Sequence, residues 1–149
     1  GSVHTQRHRM KLALSRERNP AIDPVYEKPL IDYFSKKGVK VIPQKAFNKF
    51  NVDIYIPDKN VVVEIFGGGF HNKADAVELF HNKQKYLSSK QIPILVVWAD
   101  KLTYDVEKVF TIAMNTTQLK IISGDGRPTA RGLGSIILRQ ESIDTHSDS

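Results

Sequence analysis

Cysteine is absent from the 149-residue chain, which excludes disulfides, thiolate metal sites and thiol nucleophiles together. Zinc ribbons and cysteine proteases therefore drop out, and a reducing cytoplasm, bacterial or that of a phage-infected cell, suits the chain. No run approaches the roughly 20 apolar residues that a bilayer crossing requires, so no membrane span is expected. Neither GxxxxGK[ST] nor GxGxxG occurs, so no phosphate-binding glycine loop is expected. No signal-peptide pattern opens the chain, and Gly1-Ser2 reads as a cloning remnant, which leaves room for further domains in a parent protein. Acidic residues are in deficit, 16 Asp and Glu against 22 Lys and Arg, for a formal net charge of +6. That balance favours a polyanionic partner such as nucleic acid.

With 40% hydrophobic and 26% charged residues, the chain fits one globular domain with one core. The bases are clustered. Residues 1–20 carry Arg7, Arg9, Lys11, Arg16 and Arg18 against Glu17 alone, residues 36–49 hold five lysines and no acid, and Lys120, Arg127, Arg131 and Arg139 form a third group. Asp53, Asp58, Glu64, Asp75 and Glu78 lie between them. An acidic centre is framed by basic flanks, and the chain reads as a basic N-terminal arm or helix over 1–20, a main domain over 21–140 and a flexible tail over 141–149.

Residues 4–18 read as a short surface helix. Asp23-Pro24 opens a helix whose apolar residues recur at helical spacing up to Gly38, with Pro29 able to displace its start. Short strands are expected over 39–43 and 52–56, with a polar connection over 48–51 between them. The apolar run 61–66, interrupted only by Glu64, predicts a strand buried on both faces. A helix over 73–90 follows, with Val77, Phe80, Gln84 and Leu87 on one face, then a strand over 92–98, a helix over 105–115, and strands over 119–123 and 135–139. The order implies an α/β fold, a mixed central sheet flanked by helices.

Pro57 to Asn60 is turn chemistry. If residue 57 pairs with 60, every later pair sums to 117, and Asp53 faces Glu64. Opposed Cβ atoms lie roughly 4.5–5.5 Å apart, where like charges repel, and a carboxylate on a buried strand is costly unless paired or metal-bound. Mg²⁺, with Mn²⁺ as a substitute, resolves both problems and leaves room for a phosphate; pairing of Glu64 with a lysine is the structural alternative. His71, just after the glycine triplet, can exchange a proton near neutral pH. His71-Asn72-Lys73 returns ten residues later as His81-Asn82-Lys83.

Asp53 followed eleven residues later by Glu64 resembles the PD-(D/E)xK nuclease core, with Phe66 where that pattern carries lysine. Arg9-Met10, Glu27, Asp53, the run to Gly67, Phe70-His71 and Val96-Val97-Trp98 together resemble the very-short-patch-repair (Vsr) endonucleases and the Vsr-like homing endonucleases, an EDxHD variant of that fold. The likeness spans about residues 7–100. It implies a restriction-endonuclease-like core and metal-dependent hydrolysis of double-stranded DNA. Glu27, Asp53 and His71 are then catalytic, and Asp53 with the backbone carbonyl of Ile65 holds the metal. Phe80 stands at the family's last aspartate, so either Glu64, Asp75 or His81 replaces it or the orienting contact is absent. Arg7, Arg9, Lys11, Arg16, Arg18, Lys73, Arg127 and Arg131 are expected on the DNA. The alternatives are another PD-(D/E)xK nuclease, such as a resolvase, with Asp53 and Glu64 as the metal pair, and a nucleic-acid-binding module without catalysis.

Overall fold

Side chains of a strand point alternately to its two faces, so a continuous apolar run must be covered twice. In a computed structural model, which describes residues 3–67 and 74–129, this requirement organises the molecule. The elements run α1 (Val3–Arg18), α2 (Glu27–Lys36), β1 (Ile42–Pro43), β2 (Ala46–Phe47), β3 (Phe50–Asn51), β4 (Ile54–Ile56), β5 (Val61–Phe66), α3 (Ala74–Ser89), β6 (Ile94–Trp98), α4 (Val106–Met114) and β7 (Lys120–Ser123). Val61, Val63 and Ile65 of β5 join Leu30 and Phe34 of α2 and Val109 and Ala113 of α4 in one core. Val62 joins Phe80 and Leu87 of α3 in the other.

The sheet has the order β1-β4-β5-β6-β7. β4 runs antiparallel to both β1 and β5, while β6 runs parallel to β5 and β7 parallel to β6. The chain is thus α/β with a mixed five-stranded sheet, as composition and periodicity require. The turn sets the expected register: Ile54 pairs with Val63 and Ile56 with Val61, with Asn60 at φ 54° closing the turn.

Three details differ from expectation. The helix expected from residue 23 starts at Glu27, because Asp23 instead shapes a lead-in turn, its side chain accepting from the Val25 amide at 2.8 Å. Pro29 then falls in the first turn, where a missing N–H costs no hydrogen bond. The polar connection over 48–51 is half of a two-stranded hairpin, β2 against β3, turned at Asn48 with φ 58°. The N-terminal helix is docked rather than free. Ala13 is fully buried, its carbonyl accepts from Asn51 Nδ2 at 2.8 Å, and Glu17 accepts from the Ala46 amide at 2.8 Å. The expected strand over 135–139 and the tail over 141–149 lie outside the described residues. Among the described residues no helix is long and apolar enough to cross a membrane.

Candidate active site

Four charged residues gather around the carboxyl-terminal half of β5. The register places Asp53, just ahead of β4, opposite Glu64. Glu64 is 2% exposed and points to the α3 side with Val62, as alternation demands. There Lys83 reaches it, Nζ donating to Glu64 Oε1 at 2.9 Å. On the other side of the sheet α2 begins with Glu27, close enough for its charge to act on Asp53.

Asp53 is fixed by the backbone: its Oδ2 accepts from the Ile65 amide at 2.8 Å. Within a strand the N–H and C=O of one residue point to the same side. The Phe66 carbonyl accepts from the Ala99 amide beyond β6, so both backbone groups of Ile65 point the opposite way, toward Asp53. Two carboxylates and a strand carbonyl therefore converge.

The electrostatics of the cluster are those of crowded acids. Burial, then the charges of Glu64 and Glu27, and a hydrogen bond with Glu64 raise the Asp53 carboxyl well above the ordinary carboxylate range, against the pull of the Ile65 amide. The residue as a whole is half-buried; its carboxyl is the enclosed part. Glu27 is pushed up to about 7, by burial first and then by the charges of Asp23 and Glu64, while a hydrogen bond from the Asp23 amide opposes the rise. Burial works to lower the Lys83 ammonium, but its pairing with Glu64, aided by Asp53, raises it on balance. One ammonium thus answers two of the three carboxyl groups, Glu64 directly and Asp53 through its charge.

Tyr26 and Tyr104 frame the site from the α2 side. Tyr104 donates to the Tyr26 carbonyl at 2.7 Å, and the rings meet edge to face with centroids 5.8 Å apart. Burial, then Glu27 and Asp23, push the Tyr104 phenol up, so it remains a donor. The Tyr26 ring lies on Gly67, where a Cβ would fall 2.6 Å from Cε2.

Of the sequence-derived site residues, Glu27, Asp53, Glu64 and the Ile65 carbonyl are brought together. His81 is not: it lies two positions from Lys83 on α3, which is about 160° around the helix, and its buried Nδ1 has no partner among the described residues. His71, Lys73 and Arg131 fall outside the described residues, as does the side chain of Asp75. Phe80, at the place of the family aspartate, is a core residue at 4% exposure, edge-on to Phe66. Arg7, Arg9, Lys11, Arg16 and Arg18 are all exposed on α1, and Arg127 is exposed but leans on Asp125 at 3.6 Å.

Lys83 was not among the expected residues. Its signal is its place three residues after Phe80 and four before Leu87, both core positions, which puts it at the edge of the buried stripe of α3. Among the described residues no group of three or more His, Asp or Glu side chains is arranged as a metal cage. The chain matches no family model, no curated protein and no solved structure.

Proposed function

We propose that the chain is a metal-dependent endonuclease that hydrolyses phosphodiester bonds in DNA, with a restriction-endonuclease-like core in which Asp53, Glu64 and Lys83 are the working set. The observation that carries this reading is the crowding of Asp53 against Glu64 with a lysine at 2.9 Å. Two carboxyl groups crowded beside a single ammonium hold more potential negative charge than it balances, and a hard dication fits such oxygens. The donors for Mg²⁺ are the carboxylates of Asp53 and Glu64 and the carbonyl of Ile65. Side-chain cages are not needed, because Mg²⁺ keeps several waters. When bound, the ion supplies charge neutralisation at the phosphate and a more acidic water.

The chain's own residues have separate parts. The Ile65 amide holds the Asp53 carboxylate in one orientation. Lys83, held by Glu64, presents an ammonium to a non-bridging phosphate oxygen as charge builds there. Glu27, titrating near 7, has a basicity suited to accepting a proton from an attacking water at neutral pH. His71 keeps its place in the proposal as the alternative base, on the strength of the resemblance to the Vsr-like enzymes. The exposed arginines of α1 hold phosphates without reading bases.

The set Asp53, Glu64 and Lys83 favours the two-carboxylate PD-(D/E)xK arrangement over the EDxHD one, with the lysine contributed by α3 rather than by position 66. A rival reading has its own observation: Lys83 neutralises Glu64, as a purely structural ion pair would. Relaxation of supercoiled plasmid in Mg²⁺ separates them. The nuclease reading expects nicking by the wild type, loss of at least 100-fold in Asp53→Ala and Lys83→Met, and unchanged folding by circular dichroism in Asp53→Ala. A wild type that binds DNA and never nicks it in Mg²⁺ or Mn²⁺ establishes the binding module instead.

A further inference from the structure

The lysines of residues 36–49 have no part in the site described above, yet two of them sit in a patterned surface beside it. Lys45 lies over the ring of Phe47, with Nζ 5.8 Å from the centroid, Lys49 over Phe50 at 5.5 Å, and Lys90 over Tyr86 at 5.8 Å. The rings are neighbours, Phe50 tilting against Tyr86 with centroids 5.8 Å apart. Phe47 meets Tyr55 edge to face with centroids 5.1 Å apart. Phe47, Tyr55 and Tyr86 all flank the α3-side core and remain half-exposed. Lys45 also pairs with Glu17 at 3.3 Å; Lys49 and Lys90 have no acidic partner among the described residues.

This surface joins the carboxylate cluster at two points. Tyr55 follows Asp53 by two residues on the same face of β4, about 7 Å along the strand. Tyr86 follows Lys83 by three on α3, where such residues are neighbours. Half-open rings beside lysines, two of which lack an acidic partner among the described residues, are the combination that binds a single strand: a base stacks on the ring, and the phosphate takes the ammonium. The lysine heads now stand where bases would stack, and flexible four-carbon stems let them swing to phosphates. A paired duplex offers no base faces to such rings.

We infer that Phe47, Tyr55 and Tyr86, with Lys45, Lys49 and Lys90, form a track for single-stranded DNA leading out of the carboxylate cluster, so that the substrate carries an unpaired strand, such as a flap or a fork. The substrate assignment rests on the nuclease reading; the track itself does not.

The test uses fluorescence anisotropy with labelled dT12 and with a 12-base-pair duplex, both in EDTA so that nothing is cut. Phe47→Leu/Tyr86→Leu keeps apolar volume in the core while removing two stacking faces. It is expected to weaken dT12 binding by about 10-fold or more, in line with roughly 1–3 kcal/mol per stacked base, and to leave duplex binding unchanged. Lys49→Gln/Lys90→Gln is expected to lower the salt slope for dT12 by about 1.4, two contacts at roughly 0.7 each. Equal dT12 affinity in wild type and the aromatic variant overturns the track, as does an equal loss on duplex. Because binding is read without metal, the track stands or falls whether or not the cluster cuts; a labelled fork cut in Mg²⁺ no faster than the matching duplex would remove only the substrate assignment.

Discussion

Glu64 is an acid on a strand covered on both faces, and its ion pair with Lys83 is what makes that position tenable. Removing one member of a buried pair leaves the other uncompensated, which typically costs about 3–5 kcal/mol, whereas replacing both with apolar residues is often neutral. Lys83→Met is therefore expected to lower stability by roughly 3 kcal/mol in urea unfolding, and Glu64→Leu/Lys83→Met to recover most of that loss. A single variant as stable as the wild type would show that the pair is solvated and contributes little.

Glu27 gives a second measurement at the same scale. Its carboxyl is raised from 4.5 to about 7 in the fold, so between those values the native state holds a proton that the unfolded chain has released. Stability must then fall as pH rises from about 4.5 to about 7 and level off above. Asp53, also raised, adds a change of the same sign. Thermal melts across this range should show the decline, and Glu27→Gln should flatten the part that levels off near 7. A dication favours the ionised carboxylates, so Mg²⁺ is expected to raise Tm more at pH 8 than at pH 5. A pH-independent Mg²⁺ effect would remove the acids of this cluster from the metal site.

Among the elements, α1 is the one whose attachment rests on few contacts. Its apolar content is low, and the polar anchors are the Asn51 side chain, which donates at 2.8 Å to the carbonyls of both Ala13 and Gln44, and Glu17 on the Ala46 amide. Asn51→Ala removes two hydrogen bonds, at about 1 kcal/mol each. Limited proteolysis is expected to cut within α1 at least several-fold faster in Asn51→Ala, while the Tm of the sheet core changes little. Unchanged cleavage would assign the docking of α1 to Ala13 packing and the contacts of Glu17 with the Ala46 amide and Lys45.

Gly67 closes β5 at a place where only a missing side chain fits. The Tyr26 ring that covers it packs edge to face on Tyr104, whose hydroxyl donates to the Tyr26 carbonyl, so it has little freedom to give way. Gly67→Ala is expected to destabilise by about 1–3 kcal/mol, the usual cost of overpacking, with wild-type Tm as the reference. The same substitution moves Tyr26, and with it Glu27, so the pH step near 7 should shift as well.

At the scale of the whole molecule, charge is separated by role: acids at the end of β5, bases on its rim. On α1 the Arg7, Lys11 and Arg18 side chains leave the helix within about 40° of one another, whereas Arg9 and Arg16 leave from nearly the opposite direction. The buried line through Ala13 runs between these groups, so α1 presents basic residues along both of its flanks. If both flanks touch DNA, Arg7→Gln/Arg18→Gln and Arg9→Gln/Arg16→Gln each lower the salt slope for duplex binding by about 1.8. If only one pair changes the slope, the duplex lies along that flank alone.

Much of this was written locally. The turn at 57–60 fixes the β4–β5 register, and the register alone sets Asp53 against Glu64; the apolar run 61–66 fixes a strand with two covered faces, against which an acid stands out. Helix starts and stops follow from Asp105, whose side chain caps α4 by accepting from the Lys108 amide, and from Gly38 at φ 73°. The hairpin over 46–51 was hidden because its four strand residues carry no clear alternation, and its turn uses Asn48 rather than glycine.

Lys83 was beyond the reach of local reading for a different reason. Nothing near residue 64 in the sequence names a partner 19 positions later, and the helix that carries it shows only which stripe is apolar. How far α3 slides and rotates on the sheet, set by Phe80 and Leu87 packing on Val62, Val96 and Ile121, decides that Lys83 and not Lys85 or His81 meets Glu64. Local sequence fixes the strands of the five-stranded sheet, the acids and their opposition, because these depend on residues a turn apart. The tertiary structure alone decided which cation answers them, because helix-on-sheet packing is a contact between surfaces whose registry no local pattern encodes.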